Sequence, residues 1–167
     1  SYLKLAQVHN QQAIFNEAHK YIDQAIVLCE QRIKNDSIKN EFLLYKAIIF
    51  YNSTDYQKAL KYYTDTYEYY ATNHNTQKRL DIANSIASIK SLVGDEEEAK
   101  KIFKKNYDAY SLMEKDSTVK FRAMSYINTL IALSDTYVDQ AIKEKDLTIK
   151  NILLDSATHY NSIGFEK

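Results

Sequence analysis

The sequence predicts an all-α fold, and three observations lead there. Proline is absent and glycine occurs only at Gly94 and Gly164 in 167 residues, where average usage would supply about 8 prolines and about 12 glycines. Sandwiches and barrels need turn residues at their corners, and a dinucleotide fold needs a glycine-rich phosphate turn, so neither can be assembled from this inventory. Apolar side chains recur at three-to-four spacing, as in Ile82, Ile86, Ile89 and Val93 or Tyr56, Leu60, Tyr63, Tyr67 and Tyr70, which is the stripe of a helix with one buried face. Finally, segments 13–18, 54–59 and 94–99 align without gaps, and their closing alanines, Ala18, Ala59 and Ala99, stand forty-one and then forty positions apart. A period of that size marks stacked helical repeats.

Eight helices follow in order, near 2–12, 15–33, 38–52, 55–71, 76–92, 95–112, 118–144 and 147–161. Ala6, Ala47 and Ala87, each twelve positions before a repeat alanine, place the first, third and fifth. The stripe Ile22, Ala25, Ile26, Cys29, Ile33 defines the second. Thr54-x-x-Gln57 has capping-box form at the start of the fourth. Asp95 and the glutamates after it put negative charge where the macrodipole of the sixth favours it. The seventh, from about Val119 to Lys143, looks extended, and Leu154 with Ala157 gives the eighth a weaker version of the repeat step. Polar breaks at Asn35-Asp36-Ser37, Asn73-His74-Asn75-Thr76 and Asp116-Ser117 separate four antiparallel pairs, with units near 1–34, 38–73, 76–114 and 118–164. Together they are read as a single repeat domain over 1–167. No polar capping helix follows Gly164-Phe165-Glu166-Lys167, so the domain is expected to belong to a longer chain.

Bulk charge narrows the partners. Lysine plus arginine and aspartate plus glutamate are both 22, and the net charge is zero. The basic excess of a nucleic-acid binder is missing. No apolar run approaches the roughly 18 residues of a membrane span. The segment is therefore expected to touch neither nucleic acid nor membrane.

The pattern resembles the tetratricopeptide repeat, a helix–turn–helix unit with a small residue in helix A and alanines in helix B. Its small position falls on Ala6, Ala47 and Ala87, and its helix B alanine on Ala18, Ala59 and Ala99. The aromatic positions fall on His9, Phe50 and Lys90 in helix A and on Phe15, Tyr56 and Glu96 in helix B, with departures in the third unit. The second helix B alanine survives only as Ala25, Thr66 and Asn106 standing elsewhere, and the closing proline is absent. The period exceeds the family's usual one by six or seven residues, nearly two helical turns. The resemblance implies a right-handed α-solenoid acting as a protein–protein interaction scaffold. Long-period repeats of this kind resemble regions of larger bacterial signalling and transcription-regulatory proteins, cytoplasmic or periplasmic.

Candidate chemistry is sparse. The histidines His9, His19, His74 and His159 form no paired-ligand motif, and Cys29 is the single cysteine. No cofactor, metal or catalytic residue is expected, and the chain is read as a non-enzyme. Glu96, Glu97 and Glu98 are expected to pair with Lys100, Lys101 and Lys104 on a solvated face. Cys29 is expected to be a buried small hydrophobe, and the 15 tyrosines to serve as packing residues. In the architecture implied, helix A lines a concave groove. Its exposed positions are Gln7 and Asn10, then Glu41, Leu44, Ile48 and Tyr51, then Asp81, Asn84, Ser88 and Ser91. An apolar strip flanked by amides and hydroxyls suits a peptide or partner helix. The groove lacks the inward cations that a clamp for acidic peptide tails requires. Two rival readings stand beside it: a receptor segment for a peptide pheromone, whose groove closes on a short peptide, and a self-assembly module, in which uncapped ends stack to give a homo-oligomer.

Overall fold

The computed structural model describes residues 1–116 and 123–165. Among them are eight α-helices: α1 Tyr2–Gln11, α2 Phe15–Leu28, α3 Asp36–Asn52, α4 Tyr56–Thr72, α5 Thr76–Leu92, α6 Glu96–Lys115, α7 Ala123–Lys143 and α8 Leu147–Phe165. The fold is an all-α helical repeat. Two compact units, Ser1–Thr76 and Gln77–Lys167, divide the range read as one domain, and each holds two helix pairs. The expected start of the seventh helix, 118–122, lies outside the described residues, as do Ser117 and the terminal Glu166 and Lys167.

Burial repeats with the sequence. Ala6, Ala18, Ala47, Ala59, Ala87 and Ala99 are all fully buried, at close-packed positions where added side-chain volume is felt. Helix B of the first three pairs buries the same four positions each time: Ala18, Ile22, Ala25, Cys29; Ala59, Tyr63, Thr66, Tyr70; Ala99, Phe103, Asn106, Tyr110. In the first unit Ala6, Ala18, Ile22, Ala25 and Ile49 form a core flanked by Leu3, Phe42 and Tyr45. In the second, Leu80, Phe103, Tyr110, Leu130 and Leu133 anchor a larger one.

The fourth pair corrects its sequence reading. Leu154 is exposed, whereas Leu153, Ala157, Tyr160 and Gly164 follow the helix B spacing on the inward side. Gly164, read as a junction, lies inside α8; a Cβ there would sit 3.9 Å from Leu130. On α7 the small position is the buried Ser134, a longer step from Ala87 than any between the preceding small residues.

The turn between helices A and B is the same in three pairs. Ala13, Thr54 and Gly94 each take positive φ, at 58°, 63° and 89°. The next residue's N–H then reaches back five positions, Ile14 to the His9 carbonyl, Asp55 to Phe50 and Asp95 to Lys90, as in a Schellman closure. Thr54 therefore cannot be the cap of α4; Asp55 is, accepting from the Lys58 amide at 3.2 Å. Left-handed backbone costs a residue with a Cβ about 1–2 kcal/mol. Thr54→Gly is thus expected to stabilise the chain by about 1 kcal/mol. Gly94→Ala, where a Cβ meets nothing within 4 Å, should cost about as much through backbone strain alone. Thermal midpoints of the two variants, moving in opposite directions, check this.

The last turn of α2 widens into a π-helical stretch, Cys29–Ile33, closed by the Lys34 amide donating to the Cys29 carbonyl at 2.8 Å. Cys29 is buried, its thiol 3.6 Å from the Asn35 carbonyl. Asn35 caps α3 through the Ile38 amide at 3.0 Å, so α3 starts two residues earlier than the polar break implies.

Candidate partner-binding surface

Within the first unit, α1 and α3 are the helices that carry Gln7, Asn10, Leu44, Ile48 and Tyr51. Leu44, Ile48 and Tyr51 recur four and three residues apart on one side of α3, and all three are half-buried, as is Gln7. Tyr51 stands at the end of that strip with its ring 6.0 Å from Tyr56. Asn10 plays a different part. It is 8% exposed, accepts from Asn52 Nδ2 at 3.2 Å and donates to the Tyr45 hydroxyl at 3.2 Å. The amide expected to face a ligand is consumed in joining α1 to α3.

The second unit repeats that outcome. Asn84 donates to Thr129 Oγ1 at 2.8 Å and accepts from Asn106 Nδ2 at 2.7 Å, tying α5, α6 and α7 together. Asn106 also donates to the Leu80 carbonyl at 3.0 Å. Ser88 turns its hydroxyl back to the Asn84 carbonyl at 2.9 Å. Asp81 accepts from the Tyr110 hydroxyl at 3.1 Å and from Gln77 at 3.0 Å. Burial first, and the Asp81 carboxylate second, push the Tyr110 phenol far above its usual range. The polar face of α5 is thus a seam between helices. A buried polar side chain must find partners, and here a neighbouring helix supplies them before any ligand could. Sequence spacing shows which face a residue occupies but not what stands opposite, and Asn84 meets Thr129 from two helices further along the chain.

The glutamates of α6 also depart from expectation. Glu98 pairs locally, with Lys101 at 3.6 Å. Glu96 instead meets Lys143, and Glu97 accepts from Gln140 at 2.6 Å, both on α7. Beside them opens a cleft of about 570 Å³ whose lining includes Asp95, Glu96, Lys143, Glu144, Ile149 and Leu153. Nothing in the local pattern signals it, because its walls come from segments far apart in the sequence.

In the first unit, stacked rings bridge each helix pair at one register. His9 lies on Tyr21 at 5.2 Å and Phe50 on Tyr62 at 5.5 Å, each ring three residues beyond its helix's repeat alanine. Lys20 and Lys61 cover the outer rings. Those lysines are paired with Glu17 and Asp65, so the ladder is a self-neutralised packing device. His19 packs on Phe50 at 4.2 Å, and burial above all lowers its pKa. Among the described residues no group of three or more His, Cys, Asp or Glu is placed to hold a metal ion, and no helix is long and apolar enough to cross a membrane.

These features define a helical-repeat protein with partly exposed apolar strips and closed polar seams. The chain matches no family model and no curated protein. Among solved structures, BtubC (BKLC) from P. vanneervenii superposes with a TM-score of 0.72 at 14% identity, over 97% of this chain and 62% of that one. This chain therefore spans about 62% of the length of that structure. At this identity the likeness is one of fold.

Proposed function

We propose that the chain is a protein–protein interaction scaffold of tetratricopeptide-like repeats, a region of a larger bacterial signalling or transcription-regulatory protein. Its partner is a peptide or extended segment lying along α3. The observation that supports this reading is the strip Leu44, Ile48 and Tyr51, which keeps part of its apolar surface in solvent while the polar positions of the same helix register are closed by helix–helix bonds. A strip of that kind supplies anchors for apolar side chains and little else, so affinity comes from apolar burial. The tetratricopeptide assignment is supported by the fully buried alanines that recur at two repeat positions, three in helix A and three in helix B.

The test is a fluorescent peptide library screened against the chain and against Ile48→Arg. Peptides rich in large apolar residues should bind, and Ile48→Arg should weaken them at least tenfold with an unchanged circular-dichroism melt. Equal binding by both proteins, or capture of no peptide, would overturn the proposal.

A further inference from the structure

Two histidines of the first unit, His9 and His19, turn an Nδ1 inward where it has no hydrogen-bond partner among the described residues. His9 stacks on Tyr21 within its own helix pair, whereas His19 lies across the contact between pairs, its ring 4.2 Å from that of Phe50 on α3. A neutral imidazole can carry its single proton on Nε2 and leave the enclosed Nδ1 without a hydrogen. An imidazolium carries a hydrogen on both nitrogens, so it would bury a donor that nothing accepts.

The charges around the ring are already matched without it. Asp23, on the same helix, binds Lys46 of α3 at 2.6 Å, and Asp55, the cap of α4, binds Lys58 at 2.7 Å. The same two lysines cover the neighbouring rings. Lys58 lies 5.3 Å from the centre of Phe50, and Lys46 lies 5.0 Å from that of Tyr62, the ring stacked on Phe50. These four are the charged groups that act on His19. An imidazolium would be a third cation beside two carboxylates that are both engaged. Burial above all, with Lys46 and Lys58 working against Asp23 and Asp55, holds the His19 pKa below its ordinary 6.5.

The equivalent position of the second unit takes a permanent cation, and the contrast is informative. Lys100 follows Ala99 as His19 follows Ala18, and Tyr137 stands as far beyond Ser134 as Phe50 beyond Ala47. Lys100 lies 4.4 Å from the centre of Tyr137 and donates to Gln140 Oε1 at 2.8 Å. There the charge has an acceptor. Around His19 the acceptors are taken and lysines already cover the rings.

We propose that His19 is an acid-sensitive latch between the first two helix pairs, closing the α2–α3 seam while neutral and loosening it when protonated. The sign follows from proton linkage. Above pH 6.5 the latch acts at full strength. As the pH falls below that value, the opened chain takes up the proton more readily than the closed one, and the seam weakens until the closed form is protonated too. The latch concerns packing inside the first unit and does not depend on the α3 strip being a binding surface.

Two measurements on the 167-residue chain test this. Proton NMR, with the His19 signal assigned by its absence from His19→Phe, should place the His19 titration midpoint below 6.5. Amide exchange, expressed as protection factors, should show α2 and α3 losing at least about threefold more protection between about pH 8 and about pH 5 in the unmodified chain than in His19→Phe. Phenylalanine keeps the ring and cannot titrate, and the other three histidines are common to both proteins and cancel. A midpoint at or above 6.5 overturns the inference, because Phe50 and the two carboxylates would then favour the cation. Equal pH dependence of protection in the two proteins overturns it as well. If His19→Phe does not fold, the midpoint, assigned with His19→Gln instead, decides alone.

Discussion

Phe103→Ala is expected to cost about 3–5 kcal/mol of unfolding free energy. The side chain is 3% exposed and belongs to a buried cluster with Leu80, Ala87, Ala99, Tyr110 and Leu130. It stands four residues after Ala99, at the position held by Ile22 and Tyr63 in the preceding pairs. Its neighbours include two alanines, which cannot extend into the space a removed ring leaves, so the cavity persists and adds to the lost transfer energy. A urea titration should show a lower midpoint, with amide exchange accelerated across α5 to α8. Ile22→Ala at the equivalent site of the first unit should cost about 2–5 kcal/mol, with exchange accelerated in α1 to α3. A Phe103→Ala loss below about 1 kcal/mol would mean that the pocket collapses around the smaller side chain.

Asn106→Ala is the second large effect, and it runs against the repeat pattern. Alanine is what the regular repeat would place there, as at Ala25. Yet Asn106 is 2% exposed and gives its two amide hydrogens to the Leu80 carbonyl and to Asn84 Oδ1. Removing it takes a partner from each, at a cost of about 1–3 kcal/mol. Asn84→Ala should cost a similar amount by stripping a partner from both Asn106 and Thr129. Because the two asparagines share one bond, the double variant should lose less than the two singles together, by at least about 0.5 kcal/mol. Strict additivity in chemical denaturation would show that the contact contributes nothing.

Thr66 occupies the same repeat position as Asn106 and departs from alanine for another reason. Its hydroxyl folds back on the Tyr62 and Tyr63 carbonyls at 2.8 and 3.0 Å, so it needs no neighbouring helix. Both departures were visible as letters in the sequence. Only the structure separates a residue that satisfies itself from one that ties helices together. The helices and their packing alanines were legible because each depends on local spacing and on the size of one side chain. The groove asparagines Asn10 and Asn84 were not, because their function depends on side chains brought in from a different helix pair. The register of α7 was hidden for a related reason. Its small residue is Ser134, where the earlier pairs carry alanine, and its interval from Ala87 is six or seven positions longer than those between the earlier small residues. The cap of α4 was missed by one residue because Thr54 adopts a backbone that β-branched side chains seldom take.

The π-helical end of α2 accounts for an unevenness in the repeat itself. The interval from Ala18 to Ala59 is one residue longer than the interval from Ala59 to Ala99. The same excess appears between the helix B alanine and the left-handed residue that ends the pair: Ala18 to Lys34 is one residue longer than Ala59 to His74. From there to the next helix's first residue is two residues in both, at Asp36 and Thr76. The surplus residue therefore lies between Ala18 and Lys34, and the wide turn at Cys29–Ile33 is where it is stored. It has the form of a single-codon insertion taken up as a bulge, leaving Cys29 inward and every later side chain in phase. A lineage that lost that codon would regain an unbroken α-helix and an even spacing between its first three repeat alanines. Length variation among such repeats can thus be absorbed inside a helix as readily as in the loops between them.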